Sequence, residues 1–165
     1  MTTIALPTAT DTDTDHFGES LALAVLNAHD AIMNSGLNIR LEGNLGAGKT
    51  STVRAMLRRL GVTGRIKSPT FTLLETYPLD NGLEAFHFDF YRFEDPEEFL
   101  DAGFRENFAP GNVTLVEWSE KAYPCLPEAD ITVTLSVAGD GREAKLEGNT
   151  ALGQHIVSEV LKQWP

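Results

Sequence analysis

Residues Gly43-Asn44-Leu45-Gly46-Ala47-Gly48-Lys49-Thr50 satisfy the G-x-x-x-x-G-K-[ST] phosphate-loop pattern, and that octapeptide restricts the chain more than any other stretch. Its glycines allow the main chain to take positive φ and bring successive N–H groups close to a polyphosphate, while Lys49 reaches the outer phosphates and Thr50 offers a hydroxyl to Mg²⁺. The pattern carries weight only between a strand and a helix, and both are legible. Leu37, Ile39 and Leu41 alternate with polar residues, and from Ser51 to Leu60 the apolar residues Val53, Met56, Leu57 and Leu60 form one helical stripe that stops at Gly61. Such a helix aims its N-terminal amides at the phosphates, so the amides from Gly43 through Ser51 are expected to line a nucleoside triphosphate. One detail departs from the pattern: a central parallel strand should be continuously apolar, whereas Leu37 to Glu42 alternates.

The remaining elements predict an α/β fold of the P-loop NTPase type, with a mostly parallel central sheet flanked by helices and a C-terminal antiparallel hairpin. A short strand is expected at Thr2 to Leu6, a helix from His16 to about Asn34 that turns Leu21, Val25 and Ala28 inward, and strands at Thr70 to Tyr77, Leu83 to Tyr91 and Val113 to Glu117. One or two short helices fill Asp95 to Phe108. Ile131, Val133, Leu135 and Val137 alternate up to a turn at Gly139-Asp140-Gly141, and alternation resumes at Ala144 and Leu146. A last helix from Thr150 is expected to bury Leu152, Ile156, Val160 and Leu161. At 165 residues with no composition shift, residues 1–165 read as one domain.

Charge and cysteine usage exclude several function classes. The formal charge of −11 opposes binding to free nucleic acid, DNA included, except through a local basic surface such as Arg54, Arg58, Arg59, Arg65 and Lys67. A solvated helix face explains that cluster as well as a docking patch does. The single Cys125 cannot form an internal disulfide, Asp11, Asp13 and Asp15 stand where a signal peptide would be basic, and Leu21 to Leu26 is too short to span a bilayer. A cytoplasmic protein without a membrane partner is expected. The histidines and the cysteine show no metal-ligand spacing.

A phosphate loop needs a carboxylate to help hold Mg²⁺, usually at the end of a neighbouring apolar strand. Glu117 closes Val113-Thr114-Leu115-Val116-Glu117, and Asp89 stands within Phe86-His87-Phe88-Asp89-Phe90-Tyr91. Pairing with Arg92 would explain Asp89, and a strand-end surface position would explain Glu117, without catalysis. Ser68-Pro69-Thr70-Phe71 follows the loop helix, where nucleotide hydrolases often keep a γ-phosphate-sensing segment; an ordinary turn fits it equally.

Together these motifs resemble the bacterial TsaE (formerly YjeE) family. The resemblance runs through the phosphate loop, Ser68-Pro69-Thr70-Phe71-Thr72-Leu73, His87-Phe88-Asp89-Phe90-Tyr91-Arg92, Asp95-Pro96-Glu97-Glu98, Val116-Glu117-Trp118 and Gly141-Arg142-Glu143-Ala144, in that order. It implies an ATPase that uses ATP and Mg²⁺ in the synthesis of N6-threonylcarbamoyladenosine at tRNA position 37, working with the subunits TsaD and TsaB, meeting tRNA through that complex, and not transferring the group itself. It further implies that Lys49 grips the phosphates, that Thr50 and Glu117 hold Mg²⁺, that Asp89, with Glu117 as the other catalytic candidate, positions or deprotonates the attacking water, and that Thr70 lies on a switch-like loop of the catalytic set. Trp118 would pack beside the site and Arg142 would contact nucleotide. The family usually has an acid after the first loop glycine, where this chain has Asn44. A small-molecule kinase using Arg92 and Arg105 is the main alternative, and a module that binds ATP without hydrolysing it is another. A GTPase would need D-x-x-G and N-K-x-D motifs, which do not follow the loop.

Overall fold

The computed structural model describes residues 2–6 and 11–164. Along the chain come β1 (Thr2–Leu6), α1 (Asp11–Asn27), α2 (His29–Ser35), β2 (Leu37–Glu42), α3 (Lys49–Arg59), β3 (Leu74–Pro78), β4 (Glu84–Asp89), α4 (Glu98–Asp101), β5 (Asn112–Glu117), β6 (Ile131–Ala138), β7 (Gly141–Gly148) and α5 (Ala151–Gln163). Tight helical turns occupy Phe104–Asn107 and Ser119–Lys121. The strands form one seven-stranded sheet in the order β1-β7-β6-β2-β5-β4-β3. The central strands β6, β2, β5 and β4 run parallel, β7 and β3 flank them antiparallel, and β1 at the edge pairs antiparallel with β7. The predicted α/β class and the C-terminal hairpin are both present.

Period-two alternation sorts the side chains between the two faces. Leu37, Ile39 and Leu41 of β2, Ala85 of β4, and Val113 and Leu115 of β5 enter a large core with α1, α3 and α5. Phe86, Phe88 and Val116 enter a second, aromatic core with Phe90, Phe93 and Phe99. His87 and Asp89 follow Ala85 in phase, and Glu117 follows Val113 and Leu115. All three carboxyl-end polar groups therefore face the α3 side.

The polar alternation of β2 has a structural explanation. Asn38 donates through Nδ2 to the carbonyls of Pro127 and Glu128 and accepts from Thr114 through Oδ1, while Arg40 donates to Pro127 O at 2.7 Å. An irregular segment rather than an apolar helix covers that face. Its carbonyls need donors, and the strand supplies them.

Several boundaries differ from those predicted. The helix expected from His16 to Asn34 is two helices, broken at Ala28 (φ −99°, ψ 18°), where Ala28 N–H bonds Val25 O and His29 is fixed by Asn81 O at 2.8 Å. Leu21, Val25 and Ala28 are nonetheless buried. Strand β3 begins at Leu74 rather than Thr70, because Leu73 turns to φ 68° with its N–H on Pro69 O. Strand β4 stops at Asp89, whose carboxylate accepts the Tyr91 N–H at 2.9 Å and bends the chain out of the sheet. In α5, Thr150 caps the helix by accepting from Gly153 N–H at 3.0 Å, while Leu161 is 37% exposed rather than buried.

Helices α1 and α3 cross at Gly18, where a Cβ would stand 2.7 Å from Ala55 Cβ and 2.8 Å from Thr52 O. That contact seats the helix carrying Lys49 and Thr50. Gly18→Val should destabilise the protein by about 1–3 kcal/mol, read as a fall in the urea midpoint; an unchanged midpoint would show that the crossing is loose.

Candidate functional site

The phosphate loop leaves β2 at the sheet centre and enters α3 directly, as its glycines require. Gly43 has φ 140°, and a Cβ there would meet Leu135 O at 2.3 Å; Gly48 has φ 105°. An L side chain is excluded at Gly43 by space and disfavoured at Gly48 by conformation. Ala47 N–H bonds Asn44 O at 3.0 Å, and Thr52 anchors the first helical turn by donating from Oγ1 to Gly48 O at 2.7 Å.

A cleft of about 310 Å³ opens above this loop. Leu45, Gly46, Gly48, Lys49, Thr50, Ser51, Thr70, Asp89, Glu117 and Arg142 line it, together with Tyr91 and Trp118. Three residues from the sequence-derived set lie outside its wall. Gly43 packs beneath the loop on β6, Ala47 is buried, and Asn44 points to a neighbouring surface hollow shared with Glu42 and Thr134.

The cleft's polar groups are closely coupled. Thr50 Oγ1 donates to Glu117 Oε1 at 2.8 Å, and His87 Nε2 bonds Glu117 Oε2 at 2.6 Å. Lys49 donates to Gly43 O and lies 3.6 Å from the Trp118 ring centre, a cation–π contact. Burial lowers the Lys49 ammonium from its ordinary value, against the opposing pull of Glu117, Glu120 and Asp89. Burial likewise raises the Asp89 carboxyl, helped by the charge of Glu117 and opposed by the Tyr91 N–H. Arg92 does not pair with Asp89; its guanidinium lies 4.4 Å from the Phe71 ring centre.

Two non-glycine residues with positive φ border the site: Leu73 at 68° and Trp118 at 58°. Leu73 accepts the Asp89 N–H at 3.1 Å, so the turn carrying Thr70 hangs from the strand end carrying Asp89. Thr70 Oγ1 lies 2.8 Å from Ser68 Oγ. Arg142 reaches across from β7, donating to Thr14 Oγ1 at 2.8 Å, with Nη1 only 3.0 Å from where a Gly48 Cβ would stand. Tyr91, His87 and Thr14 were not singled out from sequence. Tyr91 and His87 stood within a noted motif, and His87 shares the strand phase of Asp89. Thr14 became visible only through the packing of α1.

What the site can do chemically follows from its donor types. Main-chain amides at a helix N-terminus together with an ammonium suit an oligophosphate. A hydroxyl in contact with a carboxylate suits a hard cation with oxygen ligands, and Mg²⁺ is ordinarily held by one or two carboxylates plus substrate phosphates rather than by an all-protein cage. Among the described residues, no group of three or more His, Cys, Asp or Glu could hold a metal alone. No helix among the described residues is long and apolar enough to cross a membrane.

Comparison with known proteins places this geometry. Residues 8–144 match the family described as "Threonylcarbamoyl adenosine biosynthesis protein TsaE". The chain is 42% identical over 142 residues to the tRNA threonylcarbamoyladenosine biosynthesis protein TsaE of Haemophilus influenzae, covering 86% of this chain and 87% of that one. The protein of the same name from Bacillus subtilis is 39% identical over 122 residues, 74% of each chain. Among solved structures, that of Bacillus subtilis YdiB superposes with a TM-score of 0.71 at 25% identity, covering 98% of this chain and 96% of that one. A phosphate loop with two strand-end carboxylates, carried on this sheet order and matched over most of its length, establishes that the chain belongs to the TsaE family of threonylcarbamoyl adenosine biosynthesis proteins.

Proposed function

We propose that this protein is the ATP-binding and ATP-hydrolysing subunit that supports threonylcarbamoyl modification of adenosine 37 in tRNA, acting in the cytoplasm with TsaD and TsaB and not carrying the transferred group. The observation that carries this reading is the convergence of Lys49, Thr50, Glu117 and Asp89 on one cleft at the carboxyl ends of parallel strands. Loop amides and Lys49 bind the phosphates. Thr50 and Glu117 hold Mg²⁺, which when bound neutralises charge on the phosphate oxygens. Asp89, beside Glu117 in the parallel register, orients the attacking water or takes its proton, Thr70 reports on the terminal phosphate, and Arg142 steadies the nucleotide from the hairpin side.

The kinase alternative is less well supported. A kinase would use residues 95–108 as a closing lid, yet Phe99 is fully buried and Phe108 stacks on Phe88 with ring centres 5.4 Å apart. That segment is part of the aromatic core.

Two measurements test the proposal. Phosphate release by the isolated chain should be slow and should rise at least about tenfold when TsaD and TsaB are added, because charge stabilisation supplied from outside is a large term in phosphoryl transfer. Equal turnover with and without them would contradict dependence on the partners.

The second concerns Asp89. Asp89→Asn should lower kcat by roughly 10²–10⁴-fold while leaving ATP affinity near that of the parent. Because burial raises the Asp89 carboxyl, the acid limb of the parent's rate profile should lie above the ordinary carboxylate range, with activity lost as pH falls through it. The sign for stability is opposite. A carboxyl whose folded pKa is raised favours folding at low pH and loses that contribution as pH rises, so Asp89→Asn should melt above the parent at neutral pH, with the gap closing in acid. A lower Tm for Asp89→Asn at neutral pH would refute it.

A further inference from the structure

We propose that His87 is a positioning residue for the metal: its Nε2–H, donating to Glu117 Oε2, fixes that carboxylate so that Oε1 stays turned toward Thr50 and the cation that accompanies ATP. This rests on the reading that Thr50 and Glu117 hold Mg²⁺. His87 lies one residue pair deeper in the sheet than Asp89. Asp89 is the register partner of Glu117, and His87 is the partner of Leu115, so His87 approaches the Glu117 carboxylate from the buried side. Its side chain is fully buried and that of Glu117 is 2% exposed.

The bonding around this pair is uneven. Nε2 is 2.6 Å from Glu117 Oε2, while Nδ1 is buried without a hydrogen-bond partner. An unpaired buried nitrogen is unfavourable, and an aliphatic residue would fill the same space without that cost. What the imidazole offers here that an aliphatic side chain would not is the bond made by Nε2. A donor at Oε2 and the Thr50 hydroxyl at Oε1 hold the carboxylate plane from both sides, leaving the outward lone pairs for a cation. Without the imidazole, Glu117 would turn toward water and away from Asp89, whose like charge repels it. Donors that orient a metal-holding carboxylate in this way typically contribute about 10–100-fold to metal affinity.

The test follows binding of a fluorescent ATP analogue as Mg²⁺ is titrated, for the parent, His87→Leu, His87→Gln and Glu117→Gln. His87→Leu should raise the Mg²⁺ midpoint by about 10–100-fold, while affinity for the analogue in EDTA stays unchanged. His87→Gln, whose amide N–H reaches the same oxygen, should return most of the loss. An unmoved midpoint in His87→Leu beside a shifted one in Glu117→Gln overturns the role of His87 alone. Unmoved midpoints in both overturn the metal site itself. Should His87→Leu fail to fold, ¹⁵N correlation spectra of the parent decide: the Nε2–H tautomer, with a resonance that moves when Mg²⁺ joins bound ATP, supports the proposal, and the Nδ1–H tautomer or a static resonance overturns it.

Discussion

Glu117 stands at the end of β5 almost removed from solvent, with each carboxylate oxygen engaged by a donor from a different element: Thr50 from the head of α3 and His87 from β4. Those two bonds join the phosphate loop to the sheet. A buried carboxylate is tolerated when its surroundings satisfy it, so these bonds help set the relative placement of α3, β4 and β5 above the apolar contacts beneath. The Gly18 crossing of α1 on α3 and the tie from Phe90 N–H to Glu117 O at 3.2 Å reinforce the same arrangement.

The cleft is built against its own stability. Burial moves Lys49 and Asp89 each toward its neutral form, and the left-handed conformations at Leu73 and Trp118 add strain beside them. Such costs recur where a site must accept a charged ligand. The ring of Trp118 gives the Lys49 ammonium a resting place beside the Gly43 carbonyl, from which, on the proposed function, it would turn to a triphosphate.

How much was legible in the sequence depended on how local the signal was. The loop, its flanking strand and helix, the 131–148 hairpin and the order of the motifs all rest on short-range periodicity and glycine placement, and they emerged as expected. Boundaries failed where a tertiary contact overrode propensity: Ala28 breaks a helix that periodicity would continue, and Leu73 and Asp89 end strands through bonds to residues outside the ladder. Within the site, most of the polar residues could be named, His87, Tyr91 and Thr14 aside, but not their bonds. Asp89 might have paired with Arg92, yet Arg92 instead covers Phe71, and the His87–Glu117 contact joins residues thirty positions apart in adjacent strands. The parallel register of β4 and β5 brings the two together on one face of the sheet.

The central claim is that the cleft recognises a polyphosphate through loop amides and Lys49, and nucleotides of differing phosphate number test it most directly. Calorimetric titration in the presence of Mg²⁺ should show ATP and ADP binding with measurable heat and AMP binding at least about tenfold more weakly, since AMP cannot reach both the loop amides and the ammonium. Equal affinity for all three nucleotides, or no heat with ATP, would contradict the account.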